Sequence, residues 1–280
     1  MITSVSNPKM KYVIQLNKKS KTRYEERVFV VEGIKMCMEV SRKMIKEMYV
    51  SERFLAESTN RERLKGYAYE EVSDAVFSRI SDTKTPQGIL CLVRMPEYAL
   101  EDLLGDGFPA ASVVAEEPVS AGKQPHLLVL ESIQDPGNLG TIMRAGEGAG
   151  VTGVIMNRTT VDIFHPKTIR STMGSLFRVP FYISDNLKET IAILKGKGIA
   201  MYAAHLKGQV CYDEPDYTVP SAFLIGNEGN GLSLEIAGLA DTCIQIPMEG
   251  KVESLNAAVA SALLMYEVSR QRRKANAYLV

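Results

Sequence analysis

Three short stretches carry residues whose types and spacing could do chemistry. The first, Asp135-Pro136-Gly137-Asn138-Leu139-Gly140-Thr141-Ile142-Met143-Arg144, holds a carboxamide and a guanidinium six residues apart. The second, Leu224-Ile225-Gly226-Asn227-Glu228-Gly229-Asn230-Gly231-Leu232, sets a carboxylate among three glycines. The third runs from Ile246-Pro247-Met248 to Ser254-Leu255-Asn256. Each follows a short apolar run and precedes a helical pattern. A strand, a tight loop and a helix start in that order let backbone groups grip a ligand, and glycines let the backbone come close to it. The reading is that the three loops meet in one site. Taken singly, each also has an ordinary account. Asn138 sits where a helix N-cap would, and Arg144 lies within the helix. Gly226 to Gly231 could be a tight turn, Glu228 half of an ion pair, and Ser254 and Asn256 caps of the last helix.

Other chemistries find little support. His126, His165 and His205 have no metal-ligand spacing, and Cys37, Cys91, Cys211 and Cys243 are far apart with no CxxC. Neither a zinc site nor a disulfide framework is expected, and reduced thiols fit a cytoplasmic protein. The N-terminus has no charged-then-apolar leader pattern, and no apolar run approaches the ~18 residues of a membrane span. The glycine stretch is not GxGxxG, which argues against a dinucleotide-dependent oxidoreductase.

The chain has 280 residues, 45% apolar and 24% charged, enough for two domains with ordinary cores. With 33 basic and 33 acidic residues, net charge identifies no partner. Its distribution is more informative. Lys9, Lys11, Lys18, Lys19, Lys21, Arg23 and Arg27 face only Glu25 and Glu26, and Arg270, Arg272, Arg273 and Lys274 crowd the other end. Such clusters either contact phosphate or form solvated faces.

The elements that must position these residues follow from periodicity. A basic helical lead-in starts at Asn7-Pro8, where Pro8 suits a first turn. Strands are expected at Val28 to Val31, Ile45 to Ser51 and Gly88 to Val93. Helices are expected from Ile34, with Ile34, Cys37, Met38 and Ser41 on one face, and over Val72 to Ile80. This is a small α/β domain, residues 1–107, followed by Gly-, Pro- and Ala-rich linker chemistry at 108–124. A second α/β series fills 125–280. Leu127 to Leu130 reads as a parallel strand covered on both faces, and Leu139 to Ala149 as a helix ended by Gly150. Gly153 to Met156, Ile199 to Ala203, Ala222 to Ile225 and Thr242 to Ile246 read as strands, with a helical turn at Pro166 to Met173 and a helix around Ile191 to Lys195. A final helix over Asn256 to Lys274 has Val259, Ala262, Leu263, Met265 and Tyr266 as its apolar face.

Together the three stretches resemble the motifs of the SpoU (TrmH-type) RNA ribose 2′-O-methyltransferases of the SPOUT superfamily. The match rests on Asn138 and Arg144, on Gly226-Asn227-Glu228 with Gly231, and on Ile246-Pro247-Met248 with Ser254-Leu255-Asn256. His165-Pro166-Lys167 through Ser175 is similar to a fourth family segment. The N-terminal part, with Asn7-Pro8 and Phe29-Val30-Val31-Glu32-Gly33, looks like the family's L30e-like substrate-binding domain. Order and spacing agree over about Leu127 to Arg273.

The resemblance implies a C-terminal α/β domain with a deep trefoil knot, a rare exception to the usual topology rules. It implies S-adenosylmethionine as cofactor, held near Leu224, Gly226, Ile246, Met248 and Leu255, with no metal. It implies RNA as substrate, ribosomal RNA (23S-type) before transfer RNA, and a homodimer through the C-terminal domain. A non-catalytic RNA-binding protein on the same fold is the alternative of another class. The family gives the base role to Arg144. A guanidinium is effectively always protonated, so Arg144 is read as binding the adjacent phosphate or steadying the forming alkoxide, with or without taking the proton. Asn138 would orient Arg144 or the ribose, Glu228 a helix end or an arginine, and Ser254 and Asn256 would cap the last helix and contact substrate.

Overall fold

The computed structural model describes residues 1–104 and 123–277, apart from the side chain of Asn276. The expected linker at 108–124 lies outside the described residues except for Lys123 and Gln124. In chain order the first elements are α1 (Pro8–Lys18), α2 (Ser20–Glu26), β1 (Val28–Glu32), α3 (Ile34–Glu39), β2 (Ile45–Ser51), α4 (Glu52–Ala56), α5 (Ser58–Arg63), β3 (Glu70–Val72), α6 (Asp74–Ile80) and β4 (Ile89–Arg94). Then come β5 (His126–Leu130), α7 (Pro136–Ala149), β6 (Gly153–Asn157), α8 (Pro166–Thr172), β7 (Phe181–Ser184), α9 (Leu187–Gly196), β8 (Ala200–Ala204) and β9 (Val210–Cys211). The last are β10 (Ser221–Ile225), α10 (Leu234–Ala237), β11 (Thr242–Gln245) and α11 (Ala257–Ala277). The chain divides into two units, one of Met1–Pro96 with Asp162–Gly174, the other of Glu97–Val161 with Ser175–Val280.

The first unit is built on a sheet of order β1-β4-β2-β3. β4 runs antiparallel to β1 and β2, and β2 parallel to β3. α1 starts where expected: the Asn7 side chain accepts from the Lys9 N–H, and Pro8 takes the first helical turn. Its buried face of Met10, Val13 and Leu16 packs with Val28, Val30, Phe77, Ile80, Leu90 and Leu92. Two expectations need correction. Val72 closes a strand, and the helix begins only at Asp74. α3 stops at Glu39, so Ser41 is not on it, and it buries Met36 and Cys37. A helix this short is oriented by contact with the sheet, which overrides its own periodicity.

The segment Asp162–Gly174 completes this unit. Arg23 of α2, only 2% exposed, forms an ion pair with Asp162, its Nε donating to Oδ2 at 3.0 Å. Phe164 lies against Phe29 with ring centroids 4.8 Å apart. Arg170 of α8 pairs with Asp82 at 2.7 Å.

The second unit is organised by a seven-stranded sheet of order β7-β6-β5-β10-β8-β11-β9. Each strand pairing in it is parallel. β5 and β10 are buried at every position, as a parallel strand covered on both faces must be. The sheet's direction brings the loops after β5, β8, β10 and β11 to one carboxyl edge, where open α/β sheets bind ligands. α11 packs on α7: a Cβ on Gly146 would stand 3.5 Å from the Met265 sulfur. The face that α11 buries is Ala258, Ser261, Leu264, Met265 and Val268. Of the expected face only Met265 is buried; Val259, Leu263 and Tyr266 are exposed. The helix is apolar on two sides, and the burial order follows the side that meets α7.

Candidate active site

α7 begins with a cap one turn earlier than expected. Asp135 is the N-cap, its Oδ1 accepting from the Asn138 N–H at 2.9 Å, and Pro136 follows in the first turn. Asn138 is therefore a helical residue, and its side chain is released for other partners. Its Nδ2 donates to Glu228 Oε1 at 2.8 Å, and its Oδ1 accepts from Asn256 Nδ2 at 3.0 Å. The chemistry fixes the direction of this relay. An ionised carboxylate can only accept, so Asn138 must turn its NH₂ to Glu228 and its oxygen to Asn256. Asn256 then has its own oxygen left for the start of α11, where it accepts from the N–H groups of Ala258 (2.9 Å) and Val259 (3.3 Å). One side chain from each of the three stretches is thus tied into a single line.

Glu228 also accepts from the backbone N–H groups of Gln134 at 3.0 Å and Asp135 at 3.3 Å. Burial pushes its carboxyl upward, but the Asn138 amide and these N–H groups together outweigh that and hold it below the usual carboxylate range. Glu228 so anchors the loop that leads into α7 rather than an arginine.

The turn carrying Glu228 is closed by paired backbone bonds between Asn227 and Gly231, 3.0 Å and 2.9 Å. Asn227 adds its own bonds, from Nδ2 to the Ser132 carbonyl at 2.8 Å and to Oδ1 from the Gly229 N–H at 2.7 Å. Gly226 is required by close approach: a Cβ there would lie 2.0 Å from the Leu232 nitrogen and 2.1 Å from the Gly231 carbonyl carbon. Gly208 is required in the same way, since its Cβ would fall 2.5 Å from the Ile244 carbonyl carbon. That contact presses the loop after β8 onto the end of β11, where the His205 N–H donates to the Ile244 carbonyl at 3.0 Å.

These loops enclose a cavity of about 610 Å³. Gly226, Glu228, Ile246, Met248, Ser254 and Leu255 line it. Leu224 does not; it is fully buried within β10, and Ile225 takes the lining position. Asn138 and Asn256 stand behind Glu228 and are not lining residues. Ser254 is exposed, and Asn256 alone supplies the capping bonds described above. Arg144 is exposed and has no hydrogen-bond or ion-pair partner among the described residues; it lies on the outer face of α7 with Thr141 and Gly148. Asn227, quoted within the second motif, also faces the cavity, as do His205 and Lys207, to which the sequence assigned no site role. For His205 no local signal exists, since only the crossing at Gly208 brings it to β11. Among the described residues no group of three or more His, Cys, Asp or Glu could hold a metal ion, and no helix is long and apolar enough to cross a membrane.

The cavity suits an organic cation with apolar parts. Its volume lies within the roughly 300–1,000 Å³ of small-molecule sites. Ile246, Leu255 and Leu264 offer apolar surface, Glu228 and Glu253 negative charge, and the Gly226 and Gly231 backbone close approach. Comparison with known proteins agrees. Residues 125–266 match the SpoU rRNA Methylase family, and residues 7–91 the MRM3-like substrate binding domain. The 23S rRNA (guanosine(2553)-2′-O)-methyltransferase RlmP of Bacillus subtilis is 31% identical, over 95% of this chain and 98% of its own. A crystal structure of AdoMet-bound rRNA methyltransferase from Sinorhizobium meliloti superposes with TM-score 0.77 at 30% identity, over 96% of this chain and 97% of its own. An RNA 2′-O ribose methyltransferase structure superposes with TM-score 0.77 at 28% identity, over 97% and 99%. The fold is that of the SPOUT methyltransferases, with an N-terminal substrate-binding domain. The chain belongs to the SpoU rRNA methylase family. It is an RNA methyltransferase whose methyl donor is S-adenosylmethionine.

Proposed function

We propose that this protein methylates a ribose 2′-hydroxyl of ribosomal RNA in the cytoplasm. The observation that carries the reading is the relay Asn256–Asn138–Glu228, which joins the three loops beside the Gly226-lined cavity. S-adenosylmethionine supplies an electrophilic methyl group on a sulfonium. The residues that would hold it are Gly226, Ile246, Met248 and Leu255, largely through backbone and apolar contact. Catalysis then requires that the attacking oxygen be held in line and its proton removed. Arg144 supplies a fixed positive charge for the neighbouring phosphate or the forming alkoxide. Asn138, Glu228 and Asn256 act together as positioning residues, and Ser254 meets the substrate at the cavity wall. Residues 1–107 bind the RNA and 125–280 carry the chemistry, a division supported by the separate family matches over 7–91 and 125–266.

Two further parts belong to this reading. The chain threads itself into a trefoil knot, which is supported by the stretch 246–256 returning from β11 to wall the same cavity as the turn after β10. The protein is a homodimer through the exposed stripe of α11. In support, a Cβ on Gly148 of α7 would lie 2.8 Å from the Tyr266 hydroxyl, so the stripe is continuous with the face that bears Arg144. A second copy seated there would cover both.

The test is methylation of ribosomal RNA from cells lacking this protein, with 2′-O-methyl positions mapped by resistance to alkaline cleavage. One new position is expected. Arg144→Ala should abolish transfer while leaving S-adenosylmethionine affinity within a few fold. Gly226→Val should instead weaken that affinity. Methylation of transfer RNA alone would overturn the substrate, transfer near the wild-type rate by Arg144→Ala its role, and unchanged affinity in Gly226→Val this cavity.

A further inference from the structure

A second cavity, of about 370 Å³, lies at the opposite, amino edge of the seven-stranded sheet. Lys123, His126, Thr218, Ser269, Arg272 and Arg273 line it, and among the described residues no carboxylate is in its wall. Two of these groups lack the partners that burial demands. His126 is 1% exposed, and its Nε2 has no hydrogen-bond partner among the described residues. Buried polar atoms nearly always find one, in protein, water or a bound ion, so this nitrogen has room for a partner from the cavity. Burial, with the charges of Arg272 and Lys123, pushes the imidazole down to about 3, so the ring is neutral at any working pH.

Arg272 is the second. Its Nε donates to the Tyr217 carbonyl at 3.0 Å, Nη1 to Gln124 at 2.9 Å, and Nη2 to Pro125 and Val219, each at 2.8 Å. A guanidinium has five N–H donors; four are held by carbonyls and one on Nη1 remains. Carbonyls supply dipoles but no counter-charge. No ion pair to Arg272 exists among the described residues, and burial alone pushes the group down to about 10. Asp216, two residues before the lining Thr218, accepts from the Thr218 N–H and hydroxyl at 2.9 Å and 2.7 Å. A half-buried cation held by four carbonyls therefore sits beside the two exposed cations Lys123 and Arg273, a neutral imidazole and the Ser269 hydroxyl. Among the described residues that line the cavity, none is an anion.

We propose that this cavity is a phosphate-binding site, separate from the cofactor cavity, taking a phosphate group either free or within an RNA backbone. Arg272 fixes the floor with its remaining N–H, and Lys123 and Arg273 close over the anion from solvent. The cavity exceeds what phosphate itself fills, leaving room for the ester substituent that a nucleotide carries.

The experiment is calorimetric titration of the full chain with inorganic phosphate, ionic strength matched with chloride. Saturable binding is expected. The variant Lys123→Glu/Arg273→Glu changes only exposed side chains and should bind phosphate at least about tenfold more weakly while keeping its S-adenosylmethionine affinity. A short RNA oligonucleotide separates the sources. Displacement of phosphate by the oligonucleotide assigns the site to backbone phosphate; phosphate binding that survives saturating RNA assigns it to a free anion. Absence of saturable binding, or binding unchanged by the double charge reversal, overturns the proposal.

Discussion

Asn138 shows what one side chain can and cannot reveal in sequence. Its place near a helix start was legible, and the cap was read one turn late because Asp135 and Asn138 are both capping types. The relay was not legible, since Asn138 meets Glu228 and Asn256 across separations of 90 and 118 residues. Glu228 is the electrostatic hinge of that relay. Glu228→Gln keeps the size and loses the charge that faces the N–H groups of Gln134 and Asp135. The side chain is largely exposed, so the expected loss of stability at neutral pH is only about 1 kcal/mol. Its pH dependence has a definite sign. A carboxylate depressed in the folded state stabilises above its unfolded value, about 4.3, and that contribution disappears as pH falls through the depressed value. Wild-type and Glu228→Gln melting temperatures should therefore differ at pH 7 and converge in acid. A difference that grew as pH fell would reject the bonding described here.

Elements with strong patterns were legible. The continuous apolar runs became β5, β8 and β10, and Asn7-Pro8 began α1 as read. The unread elements are β3, β7, β9, α4 and α5, which are short and defined by neighbours rather than by their own period. α11 failed differently: both sides are apolar, and sequence does not say which one the chain itself covers. The two faces should respond oppositely. Leu264 is fully buried, and Leu264→Ala should destabilise by about 2–5 kcal/mol. Leu263 is 38% exposed and Tyr266 48%. The pair Leu263→Glu/Tyr266→Glu should leave the folded monomer intact and shift the mass measured by light scattering from dimer to monomer. A charged pair that left the mass unchanged would remove the dimer from this face.

At the scale of the whole molecule, the alternation of strand and helix revealed two α/β parts, and the three motifs were read as loops that meet, which the sheet gathers at one edge. The division of the chain was only partly legible, because Asp162–Gly174 interrupts the second unit in sequence yet belongs to the first in space. What holds it there is a buried charge pair, a signal visible only once α2 and residue 162 are placed together. Arg23 is 2% exposed and donates also to the Leu16 carbonyl at 2.6 Å. Removing one partner of a buried pair strands the other charge, at about 3–5 kcal/mol, whereas replacing both by apolar groups is often neutral. Asp162→Ala should therefore loosen α1 and α2, with amide protection in residues 8–26 falling by roughly a hundredfold or more, at about 1.4 kcal/mol per decade. Adding Arg23→Met removes the stranded charge and should restore most of that protection. Hydrogen exchange followed by mass spectrometry reads both. If Asp162→Ala alone left the protection of these helices unchanged, the pair would not be what fastens the returning segment to the first unit.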